Sequence, residues 1–231
     1  MSKTWKGVKD IVGLEEVAKI EFLLPLFAEA LGTFLLVLIG CASCITWVEG
    51  QSPTVLHIAF TFGLAVAALA QFLGPISGCH VNPAVTVGLF VSGNCSFLKT
   101  LCYIVCQSCG AIAGAVVLKM LTPAQQVNQG LGATDLAQGV EAGQDPKRSD
   151  TKGWAPLAIG LAISVSHMAA VPFTGSSMNP ARSLGPAVIL TYWSNHWVYW
   201  VGPIVGGAVA GGLYKMGFRS TKESDEASYD F

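Results

Sequence analysis

Charge is scarce in this chain. Only 12% of its 231 residues are Asp, Glu, Lys or Arg, about half the ~25% of a soluble domain. The charges nearly cancel, to −1 at pH 7. No global field therefore steers a charged partner, and a nucleic-acid-binding role is excluded. No clustered His/Cys/Asp/Glu set with metal-ligand spacing is present, and no nucleophile–base pairing stands out. Metal, cofactor and enzymatic activity are accordingly not expected. The seven cysteines, Cys41, Cys44, Cys79, Cys95, Cys102, Cys106 and Cys109, sit mostly in apolar runs. They read as small packing residues rather than a disulfide framework. No short apolar stretch closed by a small-residue cleavage site follows the N-terminal lysines, so no cleavable signal is expected.

What remains is apolar. Hydrophobic residues make up 52% of the chain, and the mean hydropathy is +0.54. Five runs approach or exceed the roughly 20 residues of a membrane span. They are Phe22–Trp47, Val55–Gly74, Phe97–Leu121, Ala155–Val171 and Trp197–Phe218. Two further stretches, Pro83–Val91 and Pro180–Leu190, are half that length and read as half-helices that cannot cross alone. Gly110 and Gly114, and again Gly202, Gly206, Gly207, Gly211 and Gly212, recur at helical spacing. Small residues on one stripe let helix backbones approach in lipid. Between Ala124 and Lys152 the chain is polar and cannot span. The expected organisation is an N-terminal segment, residues 1–20, a transmembrane domain, 21–218, and a polar tail, 219–231. Within the domain lie a first repeat, 21–121, a polar loop, 122–153, and an incomplete second repeat, 154–218.

The repeat is visible in the residues. Ser77-Gly78-Cys79-His80-Val81-Asn82-Pro83-Ala84 aligns with Thr174-Gly175-Ser176-Ser177-Met178-Asn179-Pro180-Ala181, at a constant offset of 97. Internal repeats in a membrane chain imply two pseudo-symmetric halves with a site between them. The first half offers span, span, half-helix, span. The second offers span, half-helix, span, so the counterpart of the first span is lacking. At each triplet, Asn is suited to capping a helix and Pro to its first position, where no N–H is needed. Two half-helix N-termini meeting inside a membrane would repel cations. The amides of Asn82 and Asn179 could then donate to one small oxygen.

Three motifs carry a family resemblance: Ala28-Glu29-x-x-Gly32-Thr33, His80-Val81-Asn82-Pro83-Ala84-Val85-Thr86 and Met178-Asn179-Pro180-Ala181-Arg182-Ser183. They resemble those of the aquaporins, especially water-selective members of insect type, over roughly residues 15–218. The resemblance implies an all-α membrane protein, an inverted repeat with two re-entrant Asn-Pro-Ala half-helices. Five full spans are visible instead of six, the fourth helix being the one absent. It implies a constriction of Phe62, His167, Ser176 and Arg182, and a junction of Asn82, Pro83, Ala84, Asn179, Pro180 and Ala181. It gives Glu29, His80 and Gln107 supporting roles. Cys79, the repeat mate of Ser176, becomes the candidate site for mercurials. The implied activity is passive water transport that excludes protons and ions. His167 and Ser183 stand where glycerol-conducting members have a small residue and an Asp, although a small neutral solute such as glycerol or urea is a lesser alternative. Water and the lipid bilayer are the implied partners, with a homotetramer or a hetero-assembly with full-length aquaporins, and the plasma membrane is the implied location.

The charges then create a conflict. Lys3, Lys6, Lys9 and Lys19 place the N-terminus in the cytoplasm by the positive-inside rule. Counting crossings from there leaves Ala124–Lys152 outside, so the next span runs inward. The repeat becomes parallel, and the two Asn-Pro-Ala ends cannot meet. Yet Lys147, Arg148, Lys152 and the tail look cytoplasmic. About one span's worth of residues is absent at the Gln144-Asp145-Pro146 junction relative to the aquaporins. The alternative function is therefore a non-conducting truncated subunit that alters assembly or trafficking of full-length partners.

Overall fold

A computed structural model describes residues 8–134 and 154–218. Lys3, Lys6, the charged residues from Asp135 to Lys152 and the 219–231 tail lie outside the described residues. Seven principal helices follow in order: α1 (Leu23–Ala42), α2 (Val55–Ser77), α3 (Pro83–Val91), α4 (Phe97–Leu121), α5 (Ala155–Thr174), α6 (Pro180–Leu190) and α7 (Val198–Leu213). Short turns precede α1, a four-residue helix, Ala124–Val127, follows α4, and a π turn, Tyr214–Phe218, continues α7. Four helices, Ile20–Ala42, Val55–Ser77, Phe97–Leu121 and Ala155–Thr174, are long and apolar enough to cross a membrane. The last apolar run becomes a helix of only 16 residues before its π turn.

Two boundaries differ from the sequence expectation for one reason. α2 and α5 run three residues past Gly74 and Val171, through Pro75 and Pro172. Proline removes one helix donor and so reads as a stop. Here a left-handed glycine closes each helix instead. Gly78 N–H donates to the Gly74 carbonyl at 3.0 Å, and Gly175 N–H to the Val171 carbonyl at 3.1 Å. Each bond is the closing one of a left-handed helix cap, three residues beyond the proline. All these residues are repeat mates at the offset of 97.

The helices interlock across the repeats. α1 packs along α4 and α2, α2 packs along α5, α4 along α6, and α3 along α7. Gly63 and Gly160 are repeat mates and lie against each other: a Cβ on either would strike the other's carbonyl. α2 and α5 cross there in opposite directions, since Phe62 meets His167 while Ala67 meets Gly160. Mates in reciprocal contact mark a twofold axis running across the helices, so the repeat is inverted. Gly160→Leu is expected to force α2 and α5 apart and to cost at least the ~1–3 kcal/mol of ordinary overpacking. A thermal midpoint in detergent equal to that of the parent would disprove this.

The inverted arrangement corrects the parallel repeat that crossing counts predict. It also sets a connectivity problem. Thr134 lies beside Gly175, at the C-terminal end of α5, its Cα 3.3 Å from a Cβ built there. Trp154 opens α5 at the other end. A 20-residue helix is about 30 Å long. Thr134 and Trp154 therefore stand at opposite ends of a membrane-length helix.

Candidate functional site

The site starts at the two triplets. Asn82 and Asn179 are extended residues that cap α3 and α6, with proline first in each helix. The Asn82 side-chain oxygen accepts from Ala84 N–H at 2.8 Å; that of Asn179 accepts from Ala181 and Arg182 N–H at 3.1 and 3.2 Å. Each amide nitrogen reaches across the axis. Asn82 donates to the Met178 carbonyl at 2.9 Å, and Asn179 to the Val81 carbonyl at 2.8 Å. The helix N-termini thus meet head to head. An amide nitrogen carries two hydrogens, so one remains on each Asn beyond these bonds. Pro83, Ala84, Pro180 and Ala181 are buried and close the helix starts together.

Behind the first triplet sits Glu29, wholly buried on α1. One carboxylate oxygen accepts from Ser77 Oγ at 2.6 Å and His80 N–H at 2.8 Å; the other accepts from Val81 N–H at 2.6 Å and Gln107 Nε2 at 2.8 Å. Four donors on one carboxylate satisfy a charge that burial alone would make untenable. Gln107 Nε2 also reaches Thr86 Oγ1 at 3.0 Å, and His80 Nδ1 meets the same hydroxyl at 3.2 Å. Glu29, His80 and Gln107 form one network.

A second cluster forms around Arg182, near the far end of α5. The Phe62 and His167 rings stack with centroids 4.7 Å apart, and the Arg182 guanidinium lies 5.0 Å from the Phe62 centroid. Ser176 is buried on the loop before Asn179. All four side chains are at most 3% exposed. His167 Nδ1 lies 3.0 Å from the Ile163 carbonyl. A carbonyl only accepts, so Nδ1 carries the hydrogen and Nε2 of the neutral ring is an acceptor. Among the described residues, His167 Nε2, Ser176 Oγ and Arg182 Nε are buried without a hydrogen-bond partner. Cys79, half-buried, stands on the other loop with a left-handed φ of 48°, as does Ser176.

Sequence reasoning missed what holds the arginine. Arg182 Nη1 donates to the Gly132 carbonyl at 2.6 Å, and Nη2 faces Cys44 Sγ at 4.0 Å. Thr134 Oγ1 meets Ser183 Oγ at 2.8 Å. The polar stretch after α4 therefore turns back into the protein. Its signal was the Gly130-Leu131-Gly132 run, whose three residues all take positive φ while Leu131 is 1% exposed.

Comparison with known proteins meets this geometry. The sequence profile of the major intrinsic protein family matches residues 16–145 and 131–214. The chain belongs to that family. It is 42% identical to Aquaporin-5 of Sus scrofa, over 87% of this chain and 83% of the relative. It is also 42% identical to Aquaporin-4 of Mus musculus, over 83% of this chain and 66% of the relative. Its fold resembles the X-ray structure of the aquaglyceroporin from Plasmodium falciparum at a TM-score of 0.71, with 22% identity, over 85% of this chain and 96% of that one. Major intrinsic proteins are membrane channels and not enzymes, and aquaporins transport water. The alignment with Aquaporin-5 runs over 221 positions yet takes in only 87% of 231 residues. It therefore skips positions of the relative, a shortfall close to the roughly 20 residues of one span.

Proposed function

We propose that this chain is a water-channel subunit whose selectivity resides in Phe62, His167, Ser176 and Arg182. The observation that carries this reading is the trio of buried, unpartnered polar atoms around one aromatic wall. Buried polar groups require partners. His167 Nε2 accepts and Arg182 Nε donates, so a passing water exchanges bulk hydrogen bonds for equivalent ones. Phe62 restricts the width. The fixed charge of Arg182 opposes hydronium and other cations. At the junction, the remaining amide hydrogens of Asn82 and Asn179 and the facing dipoles of α3 and α6 orient the central water to donate outward. That orientation interrupts a proton wire. On this reading the protein lies in the plasma membrane with its N-terminus cytoplasmic and assembles as a tetramer, alone or with full-length aquaporins.

Osmotic shrinkage of proteoliposomes tests the filter. Because the pore's completeness is a separate question, the substitutions are made in a chain with a sixth span restored. Arg182→Val is expected to retain water flux and to admit protons measurably above the parent. Unchanged proton flux would remove Arg182 from the filter. His167→Ala is expected to raise glycerol entry, since it enlarges the constriction beside Phe62. In the same vesicles mercury is expected to act through Cys79, because Ser176 cannot bind it. If Cys79→Ser leaves a mercury block intact, that assignment fails.

A second reading has a specific observation behind it. The chain must pass from Thr134 to Trp154, along the length of α5, through a segment bearing Asp135, Glu141, Asp145, Lys147, Arg148, Asp150 and Lys152. Such residues are costly in lipid. The two overlapping family matches break at the same place. On this reading the chain does not conduct alone and acts by joining full-length partners. His167 and Ser183 speak against glycerol as the permeant.

A further inference from the structure

The internal symmetry exposes a binding surface that the repeat itself defines. Nearly every contact in the loop before α3 has a mate in the loop before α6. Cys79 N–H donates to Ser77 Oγ at 3.0 Å, and Ser176 N–H to Thr174 Oγ1 at 3.1 Å. Tyr103 donates to the Ser77 carbonyl at 2.8 Å, and Tyr199 to the Thr174 carbonyl at 3.2 Å. The left-handed residues Cys79 and Val81 match Ser176 and Met178, with φ of 48° and 42° against 48° and 48°. The peptide groups therefore point in symmetry-related directions. One set of bonds has no mate. His80 and Val81 give their N–H groups to Glu29 of α1. Among the described residues, no acceptor meets the N–H groups of their mates, Ser177 and Met178. Ser177 is 6% exposed.

The twofold also says where the acceptor's helix belongs. α1 packs on α4 and α2. Its symmetry mate would lie on α7 and α5, and no described helix lies there. Tyr103 and Tyr199 set the register between these two helices, and in it Gly110 and Gly114 of α4 are buried against α1, whereas their mates Gly206 and Ala210 on α7 are only partly buried. α5 has the smallest buried share of the four long apolar helices, 22% against 39% for α1.

We propose that the groove between α5 and α7 receives, from another polypeptide, a transmembrane helix bearing one buried carboxylate that accepts from Ser177 and Met178 N–H, as Glu29 does across the axis. The chemistry is that of an apolar helix with a single Glu placed as in α1. Thr174 Oγ1, which now donates to the Ala170 carbonyl at 3.3 Å, stands where Ser77 stands and can turn to the same carboxylate. Pro203 stands where Gln107 stands on α4, so the carboxylate in trans gains fewer donors than Glu29 has.

The test uses the full chain in lipid nanodiscs and a synthetic peptide of this chain's own residues 20–42, with a photoactivatable leucine near its centre. Crosslinks mapped by mass spectrometry are expected on α7 between Val201 and Leu213. A peptide with Glu29→Gln is expected to crosslink there about tenfold less, the loss of a charge-assisted pair. Equal yields from both peptides would remove the carboxylate's role and overturn the proposal. Crosslinks confined to the outer face of α4, or α7 already covered by the chain itself or by a second copy, would overturn it too. The readout is independent of conduction, so it can fail while the filter assignment stands, and the reverse.

Discussion

Glu29→Ala is expected to yield no folded protein at growth temperature. The substitution orphans the Ser77 hydroxyl and two backbone N–H groups and takes one of two acceptors from the Gln107 amide, all at buried positions around the first triplet. Each orphaned donor costs about 1–3 kcal/mol. Together they reach a large part of the ~5–15 kcal/mol that separates folded from unfolded proteins. Removing the charge recovers some desolvation energy, but breaking one side of a buried charged set still costs a net ~3–5 kcal/mol. Glu29→Gln keeps the shape and one good acceptor, and is expected to fall between the two. Yield of monodisperse protein and the thermal midpoint in detergent decide the order. A Glu29→Ala protein that melts with the parent would show that the loop holds itself, and the symmetry argument for a second carboxylate would fall with it.

The second large effect concerns conduction. Proteoliposomes of the chain as it stands are expected to shrink under an osmotic gradient at the rate of empty vesicles. A version carrying an apolar, Glu-bearing helix inserted between Gln144 and Asp145 is expected to shrink severalfold faster. The reasoning rests on backbone chemistry. Inside a bilayer every N–H and C=O must be satisfied within the protein, so an extended crossing is unsustainable against lipid. An inserted helix of about 20 residues supplies its own bonds and spans the ~30 Å hydrocarbon layer. Fast shrinkage by the chain as it stands would mean that residues 135–153 cross in a sheltered path, and that the pore forms without a sixth span. No shrinkage by either protein would count against the filter.

Much of the site was legible because its residues are tied to local chemistry. An Asn-Pro pair caps a helix wherever it stands, and the repeat made two such caps into a pair. The positions of Phe62 and His167, by contrast, came from resemblance, since an aromatic or a lone His in an apolar run has no distinctive spacing. Gly132 was not legible at all. Its carbonyl holds Arg182 only because the Gly130-Leu131-Gly132 turn folds back across a distance of 50 residues. A polar stretch looks like a surface loop until its backbone is seen to serve a buried cation. Pro75 and Pro172 misplaced two helix ends, because each helix runs through its proline to a left-handed glycine cap beyond the apolar run.

By itself, the order of apolar runs and the offset of 97 determined that this is a helical membrane chain of two related halves. Periodicity and run length are local properties, and the bilayer imposes them directly. Whether the halves are parallel or inverted was left to the tertiary structure, since counting crossings pointed to a parallel repeat while the charges after residue 146 opposed it. The mated contacts Gly63 with Gly160 and Asn82 with Asn179 decide it. Phe62 meeting His167 while Ala67 meets Gly160 requires opposed chain directions, and two helix N-termini that exchange amide bonds across one axis must face each other.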